Sequence, residues 1–195
     1  ASGQIGRHLI RKLTKDNHVV TAVTRNLHQK GYLLKTQSPI GFLEIIEENI
    51  FNKEKLNNII KNHDICINLV GILFEKKNNT FQNIHVNFPS ILSRICKENN
   101  IEQLIHISAL GIDNAEESIY AKSKINGENL VKENFNRSVI LKPSICYSVD
   151  DNFTTRFMSL LNLLPIMTLY YKGRTKFTPI HVTDLANIIC QIVKK

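Results

Sequence analysis

The chain has 195 residues, 25 Lys and Arg against 17 Asp and Glu for a formal charge of +8, and 43% hydrophobic residues. That composition supports one globular domain with a real core and excludes collagen-like, low-complexity and disordered chains. Ile, Asn and Lys are used so heavily that the positive balance reflects composition as much as any polyanionic partner, and nucleic-acid binding is not the expected role.

Taken in chain order, Ile5, Leu9, Ile10 and Leu13 recur at helical spacing with basic residues between them, predicting a helix over 4–15 directly after Gly3. The β-branched run at 18–24 predicts a strand, 41–47 a second strand, and 53–61 a short helix. The apolar run at 64–70 predicts a strand buried on both faces. Ile84, Phe88, Ile91, Leu92 and Ile95 mark a long helix over 81–99, followed by a strand at 103–108, a helix at 117–134 and a strand at 138–142 closed by Pro143. An apolar helix over 152–164 ends at Pro165, a short extended piece covers 177–182, and a last helix covers 184–193. Strand and helix alternate throughout, the pattern of a doubly wound, mostly parallel α/β sheet with helices on both faces. The expected organisation is one domain over 1–195, with 150–182 adding part of a small C-terminal lobe.

The opening residues carry the first chemical signal. Gly3 and Gly6 stand three apart where a helix begins, so a backbone can approach a pyrophosphate at that helix's positive end. A tight turn would require glycine for steric reasons alone, but the strand that follows completes the turn–helix–strand order of a dinucleotide fold. That strand ends in Thr24-Arg25, with no Asp or Glu for ribose hydroxyls, which favours a 2′-phosphate and hence NADP(H) over NAD(H). Arg7 could add a second cation to the same phosphate. Tyr120 and Lys124 lie one helical turn apart behind the strand that ends at Ser108. In carbonyl chemistry such a set supplies a phenol as acid or base, an ammonium that lowers its pKa and holds the ribose, and a hydroxyl for the substrate oxygen. The seven histidines show no metal spacing, and Cys66, Cys96, Cys146 and Cys190 lie far apart without a Cys-x-x-Cys pair. Neither a metal site nor a disulfide framework is expected, and a reducing, cytoplasmic setting fits best.

These pieces resemble the short-chain dehydrogenase/reductase superfamily, with its Rossmann-like dinucleotide fold, and within it the atypical branch related to the nucleotide-binding accessory subunit of respiratory complex I and its bacterial homologues. The most specific segment is Asn68-Leu69-Val70-Gly71-Ile72-Leu73-Phe74-Glu75, joined by Leu104-Ile105-His106-Ile107-Ser108-Ala109-Leu110-Gly111, by Tyr120-x-x-x-Lys124, by Leu141-Lys142-Pro143-Ser144 and by the run from Phe177 to Asp184. The resemblance implies that a dinucleotide lies over Ser2, Gly3, Gln4, Ile5 and Gly6, with Arg25 near the 2′-phosphate. It also implies Asn49, Val70 and Gly71 on the adenosine side, and Ser108, Tyr120, Lys124 and Pro143 near the nicotinamide. Asn49 stands where the branch usually has Asp, and Ser148 replaces the glycine expected after Tyr147. The branch's first glycine and the strand before it are not in the sequence, which begins at Ala1; the expectation is an N-terminally truncated fold with an open position between the strands at 18–24 and 64–70.

The resemblance also implies a tightly held, structural NADP(H) in a subunit at the cytoplasmic face of a bacterial inner membrane. A working NAD(P)-dependent reductase or epimerase on a sugar nucleotide or small carbonyl compound is the alternative, and a basic RNA- or protein-binding module on the same fold is a third reading. The apolar run that begins at Phe157 and reaches Tyr171 is too interrupted for the roughly 20 clean residues of a membrane span. It either caps the core or docks on membrane-associated respiratory subunits.

Overall fold

The computed structural model describes residues 1–115, 117–151, 154–164, 174 and 176–194. Strands and helices alternate: α1 (Gln4–Lys15), β1 (Val20–Thr24), α2 (Leu27–Lys35), β2 (Leu43–Glu47), α3 (Lys53–Ile60), β3 (Ile65–Asn68), a π-helical turn (Gln82–Asn87) running into α4 (Phe88–Glu98), and β4 (Gln103–Ile107). There follow α5 (Ile119–Asn134), β5 (Ser138–Leu141), β6 (Cys146–Tyr147), α6 (Thr154–Leu163), β7 (Ile180–His181) and α7 (Val182–Val193). The amphipathic repeat of α1 ends at Asp16, and Asn17 turns the chain in the left-handed region (φ 65°), which Asn tolerates better than most residues. Two elements carry no signal in the apolar pattern, the weakly amphipathic α2 and the two-residue β6.

Every strand pair is parallel, as the alternation requires, but the sheet is in separate pieces. Among the described residues β1 pairs only with β2, β3–β4–β5 form a three-stranded unit, and β6 pairs with β7. One face is covered by α1, α2 and α7. Leu9, Leu13, Leu185 and Ile189 pack on Ile105 and Ile107, while Ile10 and Leu34 close over Ala22. On the other face Leu56, Phe88, Leu92, Ile95 and Val131 pack over Leu104. α1 therefore spans the β1–β2 piece and the three-stranded unit.

Between β1 and β3 lies a cavity of about 410 Å³, floored by Leu9, Ile10 and Leu13 on one side and by Leu56, Ile60 and Phe88 on the other. The strand expected to be buried on both faces, β3, is accordingly half-buried along Ile65, Cys66 and Ile67, with only Asn68 fully enclosed. His63 bridges the cavity at one end: its Nδ1 meets the Ile59 carbonyl at 2.8 Å and its Nε2 meets the Thr21 hydroxyl of β1 at 2.7 Å.

No helix among the described residues is long and apolar enough to cross a membrane. In α6, Met158, Leu160, Leu161 and Leu163 are all exposed, as is Leu164 just after it, so this part of the 157–171 run does not cap the core. The Phe157 side chain and residues 165–171 lie outside what the structure describes.

Candidate functional site

The N-terminus of α1 is bare. Its cap, Gly3, is extended (φ −74°, ψ 172°), offers no side-chain acceptor, and is followed by no acid in the first turn. The leading N–H groups and the positive end of the helix dipole are thus unclaimed by side chains, the arrangement that receives a phosphate. A Cβ on Gly3 would meet open space, whereas one on Gly6 would lie 1.9 Å from the Ala1 carbonyl oxygen, so only glycine lets the turn close. Ile5 packs inward on the α1–α7 cluster, and Ser2, just before the cap, is half-buried.

Gln4 and Arg7 reach across to the segment after β6. The Gln4 amide donates to Ser148 Oγ at 2.8 Å, Ser148 donates to Asp150 at 2.8 Å, and Arg7 pairs with the same carboxylate at 2.5 Å. Arg7, which by sequence could add a second cation at the 2′-phosphate, pairs here with Asp150, and its Nε is buried and without a partner. Ser148, the departure from the branch's glycine, supplies the hydroxyl that completes this link.

At the tip of β1, Arg25 is exposed. Register places Thr24 opposite Glu47, and the Glu47 carboxylate accepts the Leu27 N–H at 2.8 Å. The acid missing from the end of β1 thus stands on the neighbouring strand, at the start of α2. Asn49 is exposed, and its side chain accepts the Phe51 N–H at 3.0 Å in a local turn.

The third part lies over the C-terminal ends of β3 and β4. Asn68 closes the turn after β3, accepting the Val70 N–H at 3.0 Å while its amide donates to His106 Nδ1 at 3.0 Å. Gly71 is exposed in the same loop, where a Cβ would sit 3.4 Å from Lys124 Nζ. Lys124 is buried and donates to the Ile107 carbonyl at 3.3 Å; burial pushes its pKa down to about 8 against the opposing pull of Glu128. Burial raises the Tyr120 phenol above its ordinary value. Ser108 Oγ is buried without a partner at the end of β4, and the Pro143 carbonyl accepts the Leu110 N–H at 2.9 Å, tying the loops after β4 and β5. Ser108, Tyr120, Lys124, Val70 and Gly71 therefore share one edge of the three-stranded unit, while Arg25 and Asn49 belong to the β1–β2 piece.

Sequence reasoning missed three contributors. His85, on the π-turn, accepts the Ile72 N–H; Ser123 joins it to the Tyr120 helix; and Gly127 lets α5 approach the His85 backbone. In sequence His85 is masked by the apolar face it shares with Ile84 and Phe88. Among the described residues no group of three or more His, Cys, Asp or Glu side chains is arranged to hold a metal ion.

This geometry has known counterparts. The chain is 23% identical over 193 residues to the NADH-ubiquinone oxidoreductase 40 kDa subunit of Neurospora crassa, covering 99% of this chain and 50% of that one. It is 27% identical over 195 residues to NADH dehydrogenase [ubiquinone] 1 alpha subcomplex subunit 9 of Dictyostelium discoideum, covering 100% and 54%. It spans about half the length of these curated relatives. Its fold is similar to that of UDP-glucuronic acid 4-epimerase from Bacillus cereus, crystallised with UDP-glucuronic acid and NAD, at a TM-score of 0.80 and 19% identity over 100% of this chain and 71% of that one. The doubly wound, epimerase-like fold is thereby established, and a family model described as NAD(P)H-binding matches residues 1–162. With most of its length so matched, the chain belongs to the NAD(P)H-binding family.

Proposed function

We propose that this chain is the dinucleotide-binding part of an accessory subunit of a respiratory NADH:quinone oxidoreductase, and that it holds NADP(H) as a structural cofactor. The observation that carries the reading is the bare, glycine-capped N-terminus of α1, which leaves N–H groups for a pyrophosphate. The relatives that match the whole chain are subunits of that oxidoreductase by name. Ser2 to Gly6 would cradle the pyrophosphate, Arg25 the 2′-phosphate, Asn49, Val70 and Gly71 the adenosine side, and Ser108, Tyr120, Lys124 and Pro143 the nicotinamide end. Such a subunit would sit peripherally at the membrane, in a bacterium at the cytoplasmic face, with the exposed α6 leucines and the run to Tyr171 against neighbouring subunits.

A second reading, a reductase or epimerase using Ser108, Tyr120 and Lys124, draws on their convergence at one edge. Against it, burial raises the phenol above its ordinary value. Calorimetry on the full-length protein tests both readings. NADPH should bind more tightly than NADH, and Arg25→Asp should weaken NADPH roughly tenfold or more. Glu47→Gln, removing a carboxylate from the same tip, should widen the preference. Tyr120→Phe, which keeps the ring and removes only the hydroxyl, should leave NADPH retention nearly unchanged. Equal affinity for the two cofactors in the wild type would sink the NADP(H) assignment, and turnover of a carbonyl substrate that falls by about 10²–10⁴ in Tyr120→Phe would establish the catalytic reading.

A further inference from the structure

His85 sits 2% exposed on the π-helical turn that precedes α4, a local feature frequent at functional sites. Both ring nitrogens are used. The Ile72 N–H, which can only donate, meets Nε2 at 3.1 Å, so that nitrogen is the unprotonated acceptor. Nδ1 therefore carries the hydrogen and donates to Ser123 Oγ at 2.9 Å, and the Ser123 hydroxyl donates to the Tyr120 carbonyl at 2.7 Å. Three bonds in series thus run from the loop after β3 to the first turn of α5. Packing fixes the ring between them: it stacks on Phe81 at 5.4 Å between centroids and meets the edge of Tyr120 at 5.3 Å. The His85 backbone is fixed as well, since a Cβ on Gly127 would lie 1.8 Å from its carbonyl oxygen.

The loop so held is pinned at two N–H groups, Val70 to Asn68 and Ile72 to His85. Gly71 stands between the pins, with its Cβ position 3.4 Å from Lys124 Nζ and 3.9 Å from His85 Nε2. We propose that His85 is a positioning residue of the dinucleotide site, a spacer that sets the distance between the Val70–Ile72 loop and the helix turn carrying Tyr120 and Lys124. The inference rests on the dinucleotide reading above.

Two substitutions in the full-length protein separate the ring's two roles. Gln reaches the position of Nε2 and can still accept from Ile72, whereas Asn reaches only that of Nδ1 and can serve Ser123 alone. With melting temperatures recorded for both, His85→Gln should keep the Ile72 amide protected from hydrogen exchange and hold NADPH within about threefold of wild type. His85→Asn should speed Ile72 exchange and weaken NADPH, each by roughly tenfold, the worth of one lost hydrogen bond at a buried site. Ser123→Ala leaves the ring in place and tests the far end of the series; it should weaken NADPH by a few-fold and serves if either His85 variant fails to fold. Wild-type NADPH affinity in His85→Asn would overturn the proposal, as would equal losses in the Gln and Asn variants that track their melting temperatures. If the wild type binds no dinucleotide, the functional reading fails, and Ile72 exchange still decides this one: equal protection in the Gln and Asn variants would show that His85 does not hold the loop.

Discussion

The three-stranded unit and the β1–β2 piece are built from the same kind of sequence and end in different states. In β4, Leu104 is 1% exposed and Ile105 0%, because β3 and β5 flank the strand and helices cover both faces. In β1 only Ala22 and Thr24 are fully buried, and no residue of β2 is. The apolar run of β3 is as hydrophobic as that of β4, yet Ile65, Cys66 and Ile67 stay half-buried where they border the cavity. A strand's burial is thus set by what lies on its two edges, and its own hydrophobicity only permits it.

Two glycines sharpen that contrast most strongly. Gly→Ala in a helix interior ordinarily stabilises by about 1 kcal/mol through propensity. At Gly127 the new methyl would lie 1.8 Å from the His85 carbonyl oxygen inside the packed unit, where neither backbone can yield. The clash should prevail, and Gly127→Ala should cost about 3 kcal/mol or more, seen in urea unfolding. At Gly6 the clash is equally close, 1.9 Å, but its partner Ala1 is exposed and lies outside the packed unit, bonded through its amine to the Val23 carbonyl. Gly6→Ala should therefore leave stability within about 1 kcal/mol and abolish NADPH binding by opening the turn. Equal unfolding costs at the two positions would contradict the comparison.

Acid should attack the packed unit from within. Burial, reinforced by the Lys124 charge, holds His85 down at about 4 and His106 at about 3. Both folded values lie below the ordinary histidine value, so the unfolded chain takes up protons first. Stability is complete above about pH 6.5 and declines as pH falls toward the folded values. By pH 5, before most carboxylates titrate, the two rings should together have removed about 2–4 kcal/mol. His85→Gln should remove roughly half of that slope. A urea midpoint unchanged between pH 6.5 and 5 would show that the rings are not held neutral by the fold.

The alternation of elements was legible in the sequence because apolar periodicity is a local signal, and α1 begins and ends where its repeat does. The glycine turn before α1 and the one-turn spacing of Tyr120 and Lys124 on α5 were legible because both are local in sequence. What was not legible depends on distant partners. Asp150 captures Arg7 from 143 residues away, Glu47 reaches the start of α2 from the next strand, and Lys124 spends its ammonium on Ile107. His85 and Gly127 look like an ordinary apolar-face residue and a weak spot in a helix until the two backbones are seen to touch. The weak amphipathicity of α2 follows from its position over the thinly covered β1–β2 piece, where only Gly31 and Leu34 are buried.

The smallest expected effect is also the most local. Parallel strands direct alternate residues to opposite neighbours. Val20 N–H and Thr24 C=O bond toward β2, and Asp64 C=O bonds toward β4. The backbone groups of Thr21 and Val23 on one side, and of Ile65 and Ile67 on the other, therefore face the cavity; the Val23 carbonyl accepts the Ala1 amine at 2.9 Å. In this 195-residue chain those four amides should exchange at least about a hundredfold faster than the amides of Leu104, Ile105 and His106, which are paired within the three-stranded unit, because opening them requires only local fluctuation. The difference should appear in two-dimensional NMR exchange at neutral pH without any loss of the global fold. Slow exchange at Thr21, Val23, Ile65 and Ile67 together, in this chain or in a longer form of the protein, would mean that a further parallel segment lies between β1 and β3. The two pieces would then be one continuous sheet, and the burial difference between β3 and β4 should vanish with the cavity.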